Sequence, residues 1–133
     1  MYARDRASQR LGIRVQDVSP GRAVARLRVG PDLLNGHDLC HGGYVFLLAD
    51  TAFAFACNTY GEVTVAAGAD VVFVAPVHLG DELVATAQER ARYGRSGVYD
   101  VTVRRGDGGP VVAEFRGRSR ATGRPLLDPD PPS

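Results

Sequence analysis

Apolar positions along this chain follow two different periods. Ile13, Val15 and Val18 alternate roughly with polar residues, and Ala23, Ala25, Leu27 and Val29 then recur at every second position. Alternation of period two marks half-buried strands. Pro20-Gly21 lies between the runs and supplies a turn, so residues 13–29 predict a hairpin. A short amphipathic helix is expected ahead of it, over residues 3–11. Residues 44–58, YVFLLADTAFAFACN, abandon the alternation. This stretch is too long for one typical strand and is rich in Ala and Leu. Gly42-Gly43 opens it, and Asn58 with Gly61 closes it. These signals predict a helix. Its apolar character runs nearly all round, which predicts burial rather than a surface position.

Only strand signals follow, over residues 63–74, 82–93, 98–105 and 110–121, with a hairpin turn at Gly106-Asp107-Gly108-Gly109. The predicted order is hairpin, one long buried helix, then a four-strand meander. A helix apolar on every face needs a surface that wraps it, and an antiparallel sheet curling round it provides one. The fold class is therefore α+β. The alternative, a sandwich with the helix on one face, leaves one side of that helix wet. One domain is expected over residues 1–122. Residues 123–133 form a Pro-rich tail expected to be disordered.

The remaining composition narrows the function classes. A chain of 133 residues fits one domain with a real core. Formal net charge is +1, so no global field points to nucleic acid or an anionic membrane. The longest apolar run is too short for a bilayer and carries Asp50. The N-terminus has no apolar signal region. Cys40 and Cys57 lie on either side of the apolar run of residues 44–56 without metal-ligand spacing, so reduced thiols in a cytoplasm are expected, with no metal and no cofactor. Cys40 reads as a small packed residue rather than a nucleophile. All 16 basic residues are Arg. Genomic bias explains that; guanidinium forks for phosphate are the functional alternative.

Asp50 is the most informative residue. It sits well inside the helix, and its neighbours at three and four positions are Phe46, Leu47, Phe53 and Ala54. A carboxylate there is costly to desolvate, and burial raises its pKa. It is either a structural Asp satisfied by Thr51 or a loop, or a general base or nucleophile on the floor of a cleft. His41-Gly42-Gly43 supplies the complement at the helix start. Unpaired N–H groups there carry partial positive charge, and glycine lets a substrate oxygen approach. Such a start can polarise a bound carbonyl and stabilise a tetrahedral oxyanion. Asp50 lies seven residues past Gly43, about 10 Å along the axis. The expectation is therefore that Asp50 of one chain meets His41-Gly42 of a second, in a two-fold dimer with two equal sites.

Residues 34–58, LNGHDLCHGGYVFLLADTAFAFACN, resemble the signature of the phenylacetic-acid-degradation thioesterases (the PaaI family) of the hotdog superfamily. FVAPVHLGDELVATAQE, GRSGVYDVTV and VVAEFRGRS extend the likeness over roughly residues 10–120. The resemblance implies a hotdog fold and hydrolysis of phenylacetyl-CoA or its ring-hydroxylated relatives. It implies Asp50 as catalytic carboxylate, the Gly42 amide on the thioester carbonyl, Asn35 holding the water or acyl group, and His41 as the family histidine. It also implies dimers that pair into tetramers. For the CoA phosphates and pantetheine the candidates are Arg90, Arg92, Arg95, Ser96 and Gly97; solvated edge charges and a turn or bulge glycine are the plain alternatives. Asp50 acts either as general base on water or as a nucleophile forming a mixed anhydride.

Three rivals stand beside this reading. A thioesterase of the same fold with another aryl or fatty acyl group differs only in pocket shape. A hotdog hydratase uses an Asp and a His on a loop, at about the spacing of Asp32 and His37, but leaves the Asp50 helix unexplained. A non-catalytic acyl-CoA binder has no need of Asp50 and His41-Gly42 together.

Overall fold

The computed structural model describes residues 1–126. A single turn of 3-10 helix, Tyr2–Arg4, leads into α1, Arg6–Leu11. The hairpin follows as β1, Arg14–Ser19, and β2, Arg22–Arg28. A second 3-10 turn, Pro31–Leu33, precedes α2, Gly42–Cys57. Four strands complete the order: β3, Glu62–Phe73; β4, Glu82–Tyr93; β5, Ser96–Arg105; and β6, Val111–Pro125. Every expected element is present. β6 continues to Pro125, three residues past the expected domain boundary at 122, because Glu62 of β3 still pairs with Pro125. The tail expected to be disordered falls, from residue 127 on, outside the described residues.

The strands form one antiparallel sheet in the order β1-β2-β4-β5-β6-β3. The expected four-strand meander is corrected here. Only β4, β5 and β6 meander, while β3 pairs with β6 and occupies the far edge. The chain leaves β3 at Ala75-Pro76 and crosses back to β4. The crossing is fastened on the way by Cys40 N–H to Val77 O at 2.7 Å, Gly80 N–H to Val29 O at 2.9 Å and Val29 N–H to Asp81 O at 2.9 Å. Those bonds tie the loop ahead of α2 to the rest of the fold.

α2 packs on one face of the sheet. Val45, Leu48, Ala49, Ala52, Phe53 and Ala56 are buried against it. Tyr44, Phe46, Leu47, Asp50, Ala54 and Phe55 remain half-buried. The expectation of a helix buried all round is thus met on one side only within a single chain, because six strands curve round only part of its circumference.

The depth at which α2 sits is set by one glycine. Gly117 is buried on β6, and a Cβ built there would lie 2.8 Å from three atoms of the Phe53 ring. Phe53 in turn packs on Tyr99 and Phe115, with centroids 5.6 and 5.8 Å apart. Nothing in that cluster is free to retreat. Gly117→Ala is expected to cost about 1–3 kcal/mol by overpacking. A thermal melt with Tm lowered by roughly 5 °C or more is the expected readout, and an unchanged Tm would show that α2 can shift.

Candidate active site

The site begins at the start of α2. His41 is the N-cap, in extended geometry, and its Nδ1 accepts from Gly43 N–H at 3.1 Å. Nδ1 is therefore an acceptor, which fixes the neutral tautomer with its proton on Nε2. Tyr44 N–H donates to His41 O at 2.9 Å. The Gly42 N–H, first in the helix, donates to no described residue. Gly42 itself is covered by an aromatic ring: a Cβ there would lie 3.0 Å from Phe73 Cζ. Close approach by Phe73 is thus one reason for glycine at this position, beside the approach of a substrate oxygen.

Asn35 shares a pocket of about 220 Å³ with Gly42, Cys40, Val45 and Phe73. Its Oδ1 accepts from His37 N–H at 2.8 Å and Leu39 N–H at 3.2 Å, a local turn that shapes the loop. Its Nδ2 donates to no described residue. Cys40 is buried and its thiol pKa is raised, by burial first and Asp81 second, so it is a packed thiol rather than a nucleophile. Asp32 and His37 are both exposed and neither lines this pocket.

Asp50 lines a different concavity. A groove of about 470 Å³ runs along the half-buried face of α2, walled by His41, Gly43, Tyr44, Phe46 and Leu47, with Asp50 at its far end. The Asp50 carboxylate accepts no hydrogen bond from any described residue. The alternative of a carboxylate satisfied by Thr51 is overturned. The Thr51 hydroxyl donates to Leu47 O at 2.8 Å and meets Ser8 Oγ at 3.0 Å. Burial, and after it the Asp5 carboxylate, hold Asp50 above the usual carboxylate range. A basic, unpartnered carboxylate at an apolar wall is suited to take a proton from water.

One chain keeps Asp50 and Gly42 apart. They lie about two helical turns from each other and line separate concavities.

Three of the five candidates for CoA come together. Arg92, Arg95 and Ser96 line a polar depression of about 200 Å³ with Tyr60, Glu62 and Ser119. The Arg92 guanidinium lies 3.6 Å from the Tyr60 ring centroid, and its Nε is 3.9 Å from Glu89 Oε1. Arg90 is not among these residues. It turns to Asp100 at 3.4 Å, which also holds Arg116 at 2.6 Å. Gly97 is buried, and a Cβ there would meet Ser119 Oγ at 2.7 Å, so packing accounts for it. Tyr60 and Phe73 were missed from the sequence. The aromatic beside the Gly61 turn was the one available signal for Tyr60; Phe73, inside a β-branched run, gave none.

Comparison with known proteins identifies the family and the fold. Residues 37–112 match the family profile of the thioesterase superfamily. The chain is 43% identical over 123 residues to acyl-coenzyme A thioesterase PaaI of Escherichia coli strain K12, covering 92% of this chain and 87% of that protein. The structure of the E. coli PaaI protein from the phenylacetic acid degradation operon superposes with a TM-score of 0.90 at 42% identity, over 94% of this chain and 90% of that one. A mutant of phenylacetic acid degradation protein PaaI from Thermus thermophilus superposes at 0.82 with 35% identity, over 87% and 98%.

Proposed function

The chain belongs to the thioesterase superfamily, and on that footing we propose that it hydrolyses phenylacetyl-CoA or a ring-hydroxylated relative to the free acid and CoA. The observation that carries this reading is the Asp50 carboxylate, basic and without a hydrogen-bond partner among the described residues, set in an apolar groove. The name of the E. coli relative supplies the acyl-CoA chemistry, and Tyr44 and Phe46 offer aromatic walls for an aryl group.

Water attacks the thioester carbon and gives its proton to Asp50. The carbonyl oxygen gains the electron pair and accepts a hydrogen bond from Gly42 N–H at the positive end of α2. Asn35 Nδ2 holds the water or the acyl oxygen. The tetrahedral centre collapses, the C–S bond breaks, and the departing sulfur takes the proton back from Asp50. His41 keeps the helix start in shape through its bond to Gly43. Arg92, Arg95 and Ser96 hold the CoA phosphates; Arg90, occupied by Asp100, contributes less.

A second chain completes the site in this proposal. β3 is a 12-residue edge strand, and Val65, Val72 and Phe73 on it and Val74 just beyond are exposed. Bare apolar edges of that length invite pairing. The half-buried apolar face of α2 needs cover as well. A two-fold dimer through these surfaces covers both and carries Asp50 of one chain toward Gly42 and Asn35 of the other. Pairing of dimers into tetramers is the assembly that the family resemblance implies. Among the described residues no helix is long and apolar enough to cross a membrane, and a cytoplasmic enzyme fits the two free thiols.

The test is thiol release from a panel of acyl-CoAs, after correction for the protein's own thiols. The expected result is a kcat/KM for phenylacetyl-CoA at least roughly tenfold above that for a long-chain fatty acyl-CoA, a difference within reach of pocket shape. A reversed ranking would keep the mechanism and replace the substrate. No release from any acyl-CoA would overturn the proposal.

A further inference from the structure

The N-terminal helix is tied to the turn of α2 that carries Asp50. Asp5 is the N-cap of α1, and its Oδ1 accepts from Ser8 N–H at 3.0 Å. Ser8 Oγ donates to Asp5 Oδ2 at 2.7 Å. Ser8 is 1% exposed and is the buried residue of α1. Its hydroxyl meets Thr51 Oγ1 at 3.0 Å, and Thr51, the residue after Asp50, is itself buried. Two hydroxyl protons serve three contacts: Asp5 with Ser8, Ser8 with Thr51, and Thr51 with Leu47 O. Ser8 donates to the Asp5 carboxylate and Thr51 donates to Leu47 O, and the two hydroxyl oxygens meet at 3.0 Å, so the contact holds α1 and its Asp5 charge against the turn of α2 that carries Asp50.

This linkage has no role in the mechanism above. A surface helix of six residues needs an N-cap, but it does not need that cap stitched to a buried threonine on another element. We propose that Asp5 is a positioning residue for the reaction: its negative charge, pinned beside α2 through Ser8 and Thr51, acts on the neighbouring Asp50 carboxylate and makes it a better proton acceptor. The inference rests on the reading of Asp50 as the general base.

The charges around the pair support that direction. Among the described residues Asp5 is the ionisable group that, after burial, moves the Asp50 proton equilibrium. On α2 itself the Cys57 thiol feels Asp50, and burial above all pushes that thiol up to about 12, so it stays neutral. His41 walls the other end of the groove. Arg4 and Arg6 flank Asp5 in sequence, and the Met1 ammonium feels its charge; these cations soften the effect of Asp5. The charge and not the cap is therefore the variable to change.

Asp5→Asn removes the charge and keeps a good N-cap, and its amide can still reach Ser8. The test is the pH profile of kcat/KM for phenylacetyl-CoA, taken for the wild type, Asp5→Asn and Asp50→Asn, with Tm recorded for each. The expected result is an acidic limb moved to lower pH in Asp5→Asn, with a plateau modestly lower because a weaker base serves. A folded Asp5→Asn whose limb coincides with the wild type overturns the inference. Should that variant fail to fold, Asp5→Ser, an uncharged cap of similar quality, gives the same comparison. If Asp50→Asn keeps full activity, the reading of Asp50 falls instead, and the two failures are told apart in one set of profiles.

Discussion

Asp50→Asn is expected to lower kcat by about 10²–10⁴-fold, the range general-base catalysis commonly supplies, while leaving the protein at least as stable as the wild type at neutral pH. The two halves of this result come from one feature. Asn has the shape of Asp but cannot take a proton from water. In the folded chain the Asp50 carboxylate is partly desolvated, feels Asp5, and is offered no hydrogen bond by a described residue. Its folded pKa lies above its unfolded one, so folding favours the protonated form. Below the unfolded pKa this group favours the native state; the advantage is lost as pH rises through the folded pKa. At neutral pH the charge works against folding, and the amide relieves it. The Tm of Asp50→Asn should therefore match or exceed the wild type at neutral pH. That advantage should shrink in acid, where both chains are neutral at this position. Circular dichroism melts across the pH range check this. A markedly lower Tm at neutral pH would mean that Asp50 holds the fold together rather than serving the reaction.

Much of this was legible from residue order. Apolar spacing located β1 and β2, and the Ala- and Leu-rich run located α2, although β1 leaves Val18 exposed and β2 buries Ala23, Val24 and Ala25 in succession. A lone carboxylate in that helix was legible as well: desolvation makes it costly, so it stands out against Phe46, Leu47 and Phe53. The position of β3 was not legible. Local periodicity reports that a segment is a strand, and says nothing about which neighbour it pairs with, so β3 read as the first strand of a meander when it lies beside β6. The half-buried face of α2 was hidden too, since an apolar residue reads the same whether its own chain or another covers it. Arg90 and Arg92 stand two residues apart and looked alike. A bulge between Glu89 and Ala91 sends Arg90 to Asp100, while Arg92 goes to Tyr60. Irregularities of that kind depend on the pairing strand and leave no signal in one segment alone. The Ser8–Thr51 contact joins residues 43 positions apart and is likewise invisible before folding.

The proposed working site takes Asp50 from one chain and the Gly42 N–H from its partner. Two variants each disable one half. Asp50→Asn removes the base. Gly42→Pro removes the N–H at the first position of α2, where proline suits the helix and where the extended His41 tolerates a following proline; the exposed Phe73 ring must give way slightly. Each variant alone should lose activity, by about 10²–10³-fold for the loss of one oxyanion donor. The measurement is thiol release by a mixed dimer of the two, co-expressed with different affinity tags and purified over both. One of its two sites pairs the intact Asp50 of the Gly42→Pro chain with the intact Gly42 of the Asp50→Asn chain, and the other site is doubly disabled. The mixed dimer should recover up to about half of the wild-type activity, one working site in two. A mixed dimer as inactive as either parent, once its composition is verified by mass, would place base and donor in the same chain and contradict the account.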